Sequence, residues 1–141
     1  MTLYAESSAV LAWLLGEATG SQVRELLASA DLVIVSDLTL IECERVLIRA
    51  VALGEIAEAD AADRQARLNA AAVHWNLLRI GREIVDRARQ PFPEEPVRTL
   101  DAIHLASALV SRSAIAGLEI LSLDDRIRAV ARRLGMQLQP A

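Results

Sequence analysis

Lysine is absent from this chain: all 15 basic residues are arginine, set against 19 acids and a net charge of −4. Any contact with an anion must therefore use the planar, forked guanidinium. The acidic balance argues against a sequence-specific DNA binder held by broad electrostatics. It does not exclude a nuclease, because bound divalent cations reverse the local sign of the potential. Cysteine occurs once, at Cys43, which excludes an internal disulfide and any multi-cysteine metal site. Lying inside a helical pattern, Cys43 reads as a small buried hydrophobe. The two histidines, His74 and His104, are too few to build a zinc site unaided. Aromatics make up only 3%, so the core must be aliphatic, and Trp13 and Trp75 read as packing residues. No apolar run approaches the roughly 18 residues of a membrane span. The amino terminus carries no basic segment before its apolar residues, so no signal peptide and a cytoplasmic location are expected. No Ser-His-Asp set and no glycine-rich phosphate loop is visible.

What is present is ample apolar material, 53% of 141 residues, enough for one domain over 1–141. Leu3–Ala5 reads as a buried strand ended by Glu6, with Ser7 and Ser8 as N-cap candidates for a helix over Ala9–Leu15 and Gly16 as its stop. Helical periodicity covers Thr19–Ala30. Leu32–Val35 is the clearest strand, and Ser36 or Asp37 caps a helix over Leu38–Leu53, closed by Gly54. In that helix Leu40, Cys43, Leu47 and Val51 share one stripe, and Glu42, Arg45 and Arg49 another. A surface-packed helix over Ala57–Val73, a strand at Trp75–Leu78 and a helix over Gly81–Ala88 follow. The proline-rich Gln90–Pro96 cannot be helical and reads as a rigid loop. A helix opens near Thr99, its expected N-cap, and Gly117 breaks it. Leu118–Ser122 is a strand, Arg126–Leu134 a helix opened by Asp124-Asp125 and stopped by Gly135, and Leu138 a short edge strand. Strands alternating with helices predict an α/β fold with a parallel sheet.

Four acids stand at matching places in this scheme. Glu6 and Asp124 follow strands, Glu42 is in the second turn of a helix that follows a strand, and Asp101 is in a first helical turn among Leu, Ala and Ile. In an open parallel sheet those places line the crevice at the carboxyl ends of the strands, where ligands bind. Clustered carboxylates repel unless a counter-charge joins them. Hard cations such as Mg²⁺ and Mn²⁺ prefer oxygen ligands and activate water for attack on a phosphoryl group.

Each residue also has a plainer reading. Glu6 suits a helix start, Glu42 a pair with Arg45, Asp101 a position favoured by the helix dipole, and Asp124 with Asp125 a capping pair. His104 reads as a core histidine, with a supporting role at the site as the alternative. Arg45, Arg49 and Arg98 are either surface residues or contacts to RNA phosphates. The joint placement of the acids, rather than any one residue, favours a site.

The stretches Tyr4–Leu11, Leu38–Glu42, Arg98–Ala106 and Leu121–Arg126 resemble, in order and spacing, the motifs of PIN-domain ribonucleases. The likeness is greatest to VapC-type toxins of bacterial toxin–antitoxin pairs, and it covers essentially the whole chain. It implies a three-layer α/β/α sandwich with a central parallel sheet. It also implies Mg²⁺- or Mn²⁺-dependent RNA cleavage, a cognate antitoxin and a homodimer. Glu42, Asp101 and Asp124 match the family's acids. Ser8 and Ser122 match hydroxyl positions near the metal, and Asp125 is an adjacent helper or a cap. The first acid of the family is usually Asp, whereas this chain has Glu6, one methylene longer.

The leading expectation is a metal-dependent endoribonuclease toxin using Glu6, Glu42, Asp101 and Asp124, with Glu6, Asp101 and Asp124 on the metal. The alternative is a catalytically impaired PIN-like binding module that acts through a protein partner. A phosphatase-type hydrolase is weaker, since an aspartate nucleophile is expected where Glu6 stands.

Overall fold

The computed structural model describes Met1–Ala141 throughout. Its elements run β1 (Thr2–Ala5), α1 (Ser7–Leu14), α2 (Gly20–Ser29), β2 (Leu32–Ser36), α3 (Asp37–Ala52), α4 (Glu58–Ala72) and β3 (Asn76–Leu78). They continue with α5 (Arg82–Ala88), α6 (Thr99–Ala114), β4 (Glu119–Leu121), α7 (Asp125–Arg133) and β5 (Gln137–Gln139). The five strands form one sheet in the order β3-β2-β1-β4-β5, and every pairing is parallel. Tyr4 at its centre is in register with Ile34 on one side and Ile120 on the other.

The period-2 alternation of a strand divides the core in two. Leu3 and Ala5 of β1, Val33 and Val35 of β2 and Leu121 of β4 face one layer, with Val10, Leu14, Val23, Cys43 and Leu68 from α1–α4. Tyr4, Ile34 and Ile120 face the other, with Leu105, Ala108, Ile127 and Val130 from α6 and α7. A sheet covered on both faces explains why its strands read as continuous apolar runs, and the result is the expected α/β/α sandwich. Trp13 and Trp75 meet edge-on, centroids 6.4 Å apart. Cys43 is buried and unpaired, and burial pushes its thiol up to about 12. No helix is long and apolar enough to cross a membrane.

Close packing explains one glycine. A Cβ on Gly20 would lie 2.5 Å from the Ala12 carbonyl oxygen, so α2 can seat against α1 only with hydrogen at that position. Gly54 and Gly135 have φ of +71° after α3 and α7, the left-handed turn that ends a helix.

Several boundaries depart from the sequence reading. Helix α1 begins at Ser7 rather than Ala9, because Glu6 itself is the N-cap and accepts from the Ser8 N–H at 3.1 Å; Ser7 and Ser8 are inside the helix. Thr99 is not the N-cap of α6. The chain leaves the proline-rich loop still extended at Arg98, which is the N-cap and makes no side-chain cap bond. The third strand starts at Asn76, after Trp75 has turned onto Trp13. Of the two cap candidates for α3, Ser36 is the cap, accepting from the Leu38 N–H at 3.0 Å.

Candidate active site

The strand order places β1 between β2 and β4, and the chain leaves these neighbours in opposite directions. After β1 it enters α1 on one face; after β4 it enters α7 on the other. The crevice at such a switch point is open at the carboxyl ends of the strands. Glu6 and Ser122–Asp124 are its two lips, tied by the Glu6 N–H donating to the Leu121 carbonyl at 2.9 Å.

Glu6 is 5% exposed and fully engaged. Oε1 accepts from the Ser8 N–H; Oε2 accepts from the Ser8 hydroxyl and from the Ser122 hydroxyl at 2.7 Å. Ser8 Oγ also accepts from the Leu123 N–H at 2.9 Å, and Ser122 Oγ from the Asp124 N–H at 3.2 Å. The two serines thus stitch the start of α1 to the β4–α7 loop around one carboxylate. Asp124 is half-buried and caps α7, its Oδ1 accepting from the Arg126 and Ile127 N–H groups at 2.9 and 3.0 Å. Its other oxygen makes no hydrogen bond. Asp125 is exposed in the first turn of α7.

Glu42 has partners other than the expected Arg45. Its Oε1 accepts from the Ser7 hydroxyl at 2.7 Å and from His104 Nε2–H at 2.6 Å. Arg45 and Arg49 stay exposed one and two turns further along α3. His104 is itself buried, its Nδ1 hydrogen-bonded to the Tyr4 hydroxyl at 2.8 Å and its Nε2 turned to the Glu42 carboxylate. Burial alone would raise the Glu42 carboxyl. Hydrogen bonds from His104 and Ser7, with the charge of His104, outweigh it and hold the group below the ordinary glutamate range.

Asp101 is the contrast. It is half-buried in the first turn of α6, and no hydrogen bond stabilises its carboxylate. Desolvation, then the charges of Asp124 and Glu6, raise it above the ordinary aspartate range, against smaller opposing effects of His104 and Arg98. The fold thus brings Asp101, Glu6 and Asp124 within electrostatic reach, and His104 links Glu42 to them, Nε2 lying 3.9 Å from Glu6 Oε1. No arginine forms an ion pair with any of the four acids.

Tyr4, Ser7 and Arg128 have roles at the site that the sequence did not assign, Ser7 having read only as an N-cap candidate. The one tyrosine in a buried strand signals a need for a hydroxyl partner, and a histidine in a buried helix is the natural candidate. Arg128 donates from Nη1 to the Ser122 and Gln139 carbonyls at 2.8 and 3.2 Å and from Nη2 to Pro140 at 2.9 Å, bracing the lip that carries Asp124. Nothing in its helical pattern distinguishes it from its arginine neighbours.

As donors the acids are all oxygen, the set a hard divalent cation prefers. Asp101, without a hydrogen-bond or ion-pair partner beside two further carboxylates, is chemically suited to one. As the side chains stand, however, no group of three His, Cys, Asp or Glu residues is arranged to hold a metal ion.

The PIN-domain family model matches residues 3–133. Ribonuclease VapC46 of Mycobacterium tuberculosis is 34% identical over 134 residues, covering 95% of this chain and 93% of that protein. In shape the chain is similar to VapBC2 from Rickettsia felis, solved bound to a DNA fragment from their promoter, with a TM-score of 0.66, 10% identity and coverage of 99% of this chain and 98% of that one. It is also similar to Mycobacterium tuberculosis VapC20, a sarcin–ricin-loop-cleaving toxin, with a TM-score of 0.61, 18% identity and coverage of 90% and 93%. Likeness at those identities carries the fold alone. With the family match spanning residues 3–133, across all four acids, and the VapC46 likeness covering 95% of the chain, the chain belongs to the PIN-domain family, as a homologue of VapC toxins.

Proposed function

We propose that this protein is a divalent-metal-dependent endoribonuclease, the toxin of a toxin–antitoxin pair, built as one PIN-like unit over residues 1–141. Family membership supports a nuclease role in general terms. The observation that carries the finer reading is the Asp101 carboxylate, which has no hydrogen-bond or ion-pair partner and lies within electrostatic reach of Asp124 and Glu6 at the switch point. Glu6, Asp101 and Asp124 would hold Mg²⁺ or Mn²⁺; when bound, such an ion lowers the pKa of water and neutralises charge on a phosphoryl group. Ser8 and Ser122 hold the Glu6 side chain in the lip through hydrogen bonds to its Oε2. Glu42, kept ionised by His104 and Ser7, is placed to accept a proton from an attacking water. Arg98, exposed at the start of α6, and Arg45 and Arg49 on α3 are the contacts for RNA phosphates, with Asp125 a helper beside Asp124.

A cognate antitoxin is the proposed protein partner. A fold neighbour is described as a toxin–antitoxin complex from Klebsiella pneumoniae. Here Ile41 and Ile48, seven residues apart on one face of α3, are exposed. A homodimer in the cytoplasm is the proposed state, checked by light scattering of the purified protein.

Asp101→Asn tests the enzyme reading. It should abolish Mg²⁺-dependent RNA cleavage and leave the fold intact; full activity in that variant would remove Asp101 from the site. One observation favours the second reading, an impaired binding module. Both Glu6 oxygens are already occupied and no coordination cluster is formed. Calorimetric titration with Mn²⁺ separates the two, since an impaired module takes up no metal at millimolar concentration.

A further inference from the structure

Beside Asp101 a cleft of about 330 Å³ runs between the first turns of α6 and α7, closed at one end by Pro96 and Val97. That volume is within the roughly 300–1,000 Å³ of small-molecule sites. Its floor is aliphatic: Leu105, Ile127 and Val130 are 0%, 1% and 6% exposed. Its rim is polar, formed by Asp101 and by the exposed Arg98 and Arg126. Neither guanidinium is in an ion pair, so two unspent cations flank an apolar slot in a chain of net charge −4.

We propose that this cleft is a nucleobase subsite: it takes one unstacked base of a single-stranded RNA, while Arg98 and Arg126 hold the phosphates on either side of that nucleotide. Aliphatic walls accept the flat face of a base, and the Asp101 edge accepts a hydrogen bond from a ribose hydroxyl or base N–H. The forked guanidinium matches phosphate oxygens. Sequence-tolerant binding of single strands elsewhere combines a cationic track for the backbone with aromatic faces for the bases; in this cleft aliphatic side chains stand where the aromatic faces would be. Position adds a role. Asp101 is shared between the cleft and the acids, so the seated base belongs to a nucleotide next to the phosphate presented to Glu6 and Asp124. That last step rests on the nuclease reading; the base subsite itself does not.

The test is equilibrium binding of fluorescein-labelled ten-nucleotide homopolymers of A, C, G and U, and of an abasic ten-mer, measured without divalent metal. Val97→Trp fills the slot from the loop side, and Arg126→Ala removes a rim cation from an exposed position without disturbing the fold; thermal unfolding verifies both proteins. Wild type should bind at least one homopolymer ten-fold or more tightly than the abasic strand. Val97→Trp should abolish that difference while binding the abasic strand as wild type does. Arg126→Ala should weaken every strand several-fold and flatten the salt dependence. Equal binding of all homopolymers and the abasic strand by wild type, or indifference of base preference to Val97→Trp, would overturn the subsite; a cleft made for a protein segment gives that second result. Cleavage is read separately in Mg²⁺. Val97-dependent binding without cleavage would fail the nuclease reading and leave the base subsite standing.

Discussion

Asp101 and Glu42 are both carboxylates on helices at the same sheet edge, and their surroundings drive them apart. Glu42 is hydrogen-bonded by Ser7 and His104 and held low; Asp101 is desolvated, faces Asp124 and Glu6, and is held high. The linkage signs follow. Glu42 contributes stability above the ordinary glutamate range and loses it as pH falls through its lowered value. Asp101 costs stability as pH rises from the ordinary aspartate value through its raised one. Asp101→Asn should therefore raise Tm at neutral pH, by a few degrees at most because the site is partly solvated, and give no gain below the ordinary aspartate range. Thermal scans from acid to neutral pH check the crossover. Tyr4→Phe strips the buried His104 Nδ1 of its hydrogen-bond partner, and urea denaturation should show a loss of about 1–2 kcal/mol.

Among elements, the β4–α7 lip and the α1–α2 contact are the sensitive joints. Arg128 bonds three carbonyls from α7, two of them on the carboxy-terminal segment Gln139–Pro140. Arg128→Ala should cost about 1.5–3 kcal/mol, the range for hydrogen bonds from a charged donor. It should also speed exchange of the Leu123 and Asp124 amides, which hydrogen–deuterium exchange resolves. Gly20→Ala places a methyl against the Ala12 carbonyl and must push α2 off α1. A loss of about 1–3 kcal/mol is expected from such overpacking, measured by the same denaturation. The sequence reading located all seven helices and five strands from apolar runs, capping residues and helix-ending glycines, although α4 buries only Leu68 and β5 carries a single apolar residue. It misplaced the starts of α1 and α6, because a cap is a geometry rather than a residue type. The carboxylate of Glu6 displaced the two serines that fit the usual cap pattern, and Arg98 took a cap position without capping anything.

For the whole molecule, the consequence is a fold that stores like charge at one edge. Three carboxylates share the switch point with no arginine paired to them, although the chain carries 15 arginines. A divalent cation that relieves this repulsion must stabilise the fold. Mn²⁺ at about 100 times its dissociation constant should add about 2.7 kcal/mol by mass action. Differential scanning calorimetry of wild type with and without Mn²⁺ reads this as a rise in Tm, and the rise should vanish in Asp101→Asn. An unchanged Tm in wild type would favour the impaired binding module.

The sequence by itself determined the layers and the edge. Apolar runs bounded by helix signals require a sheet buried on both faces, and acids placed just after strands or early in the following helices can lie only at its carboxyl side. Local pattern carries that information because it depends on neighbours a few residues away. Tertiary structure alone decided what each acid does. Pairing Glu42 with His104 and Ser7 joins residues 62 and 35 positions apart, and closing Ser122 on Glu6 spans 116. Contacts at such separations follow from how the helices stack on the sheet, which no periodicity encodes. So Glu42 exchanged its expected arginine for a histidine anchored to Tyr4. Glu6 became the knot of the lip, and Asp101, which read alone as a favoured helix-start acid, was left as the carboxylate without a hydrogen-bond or ion-pair partner.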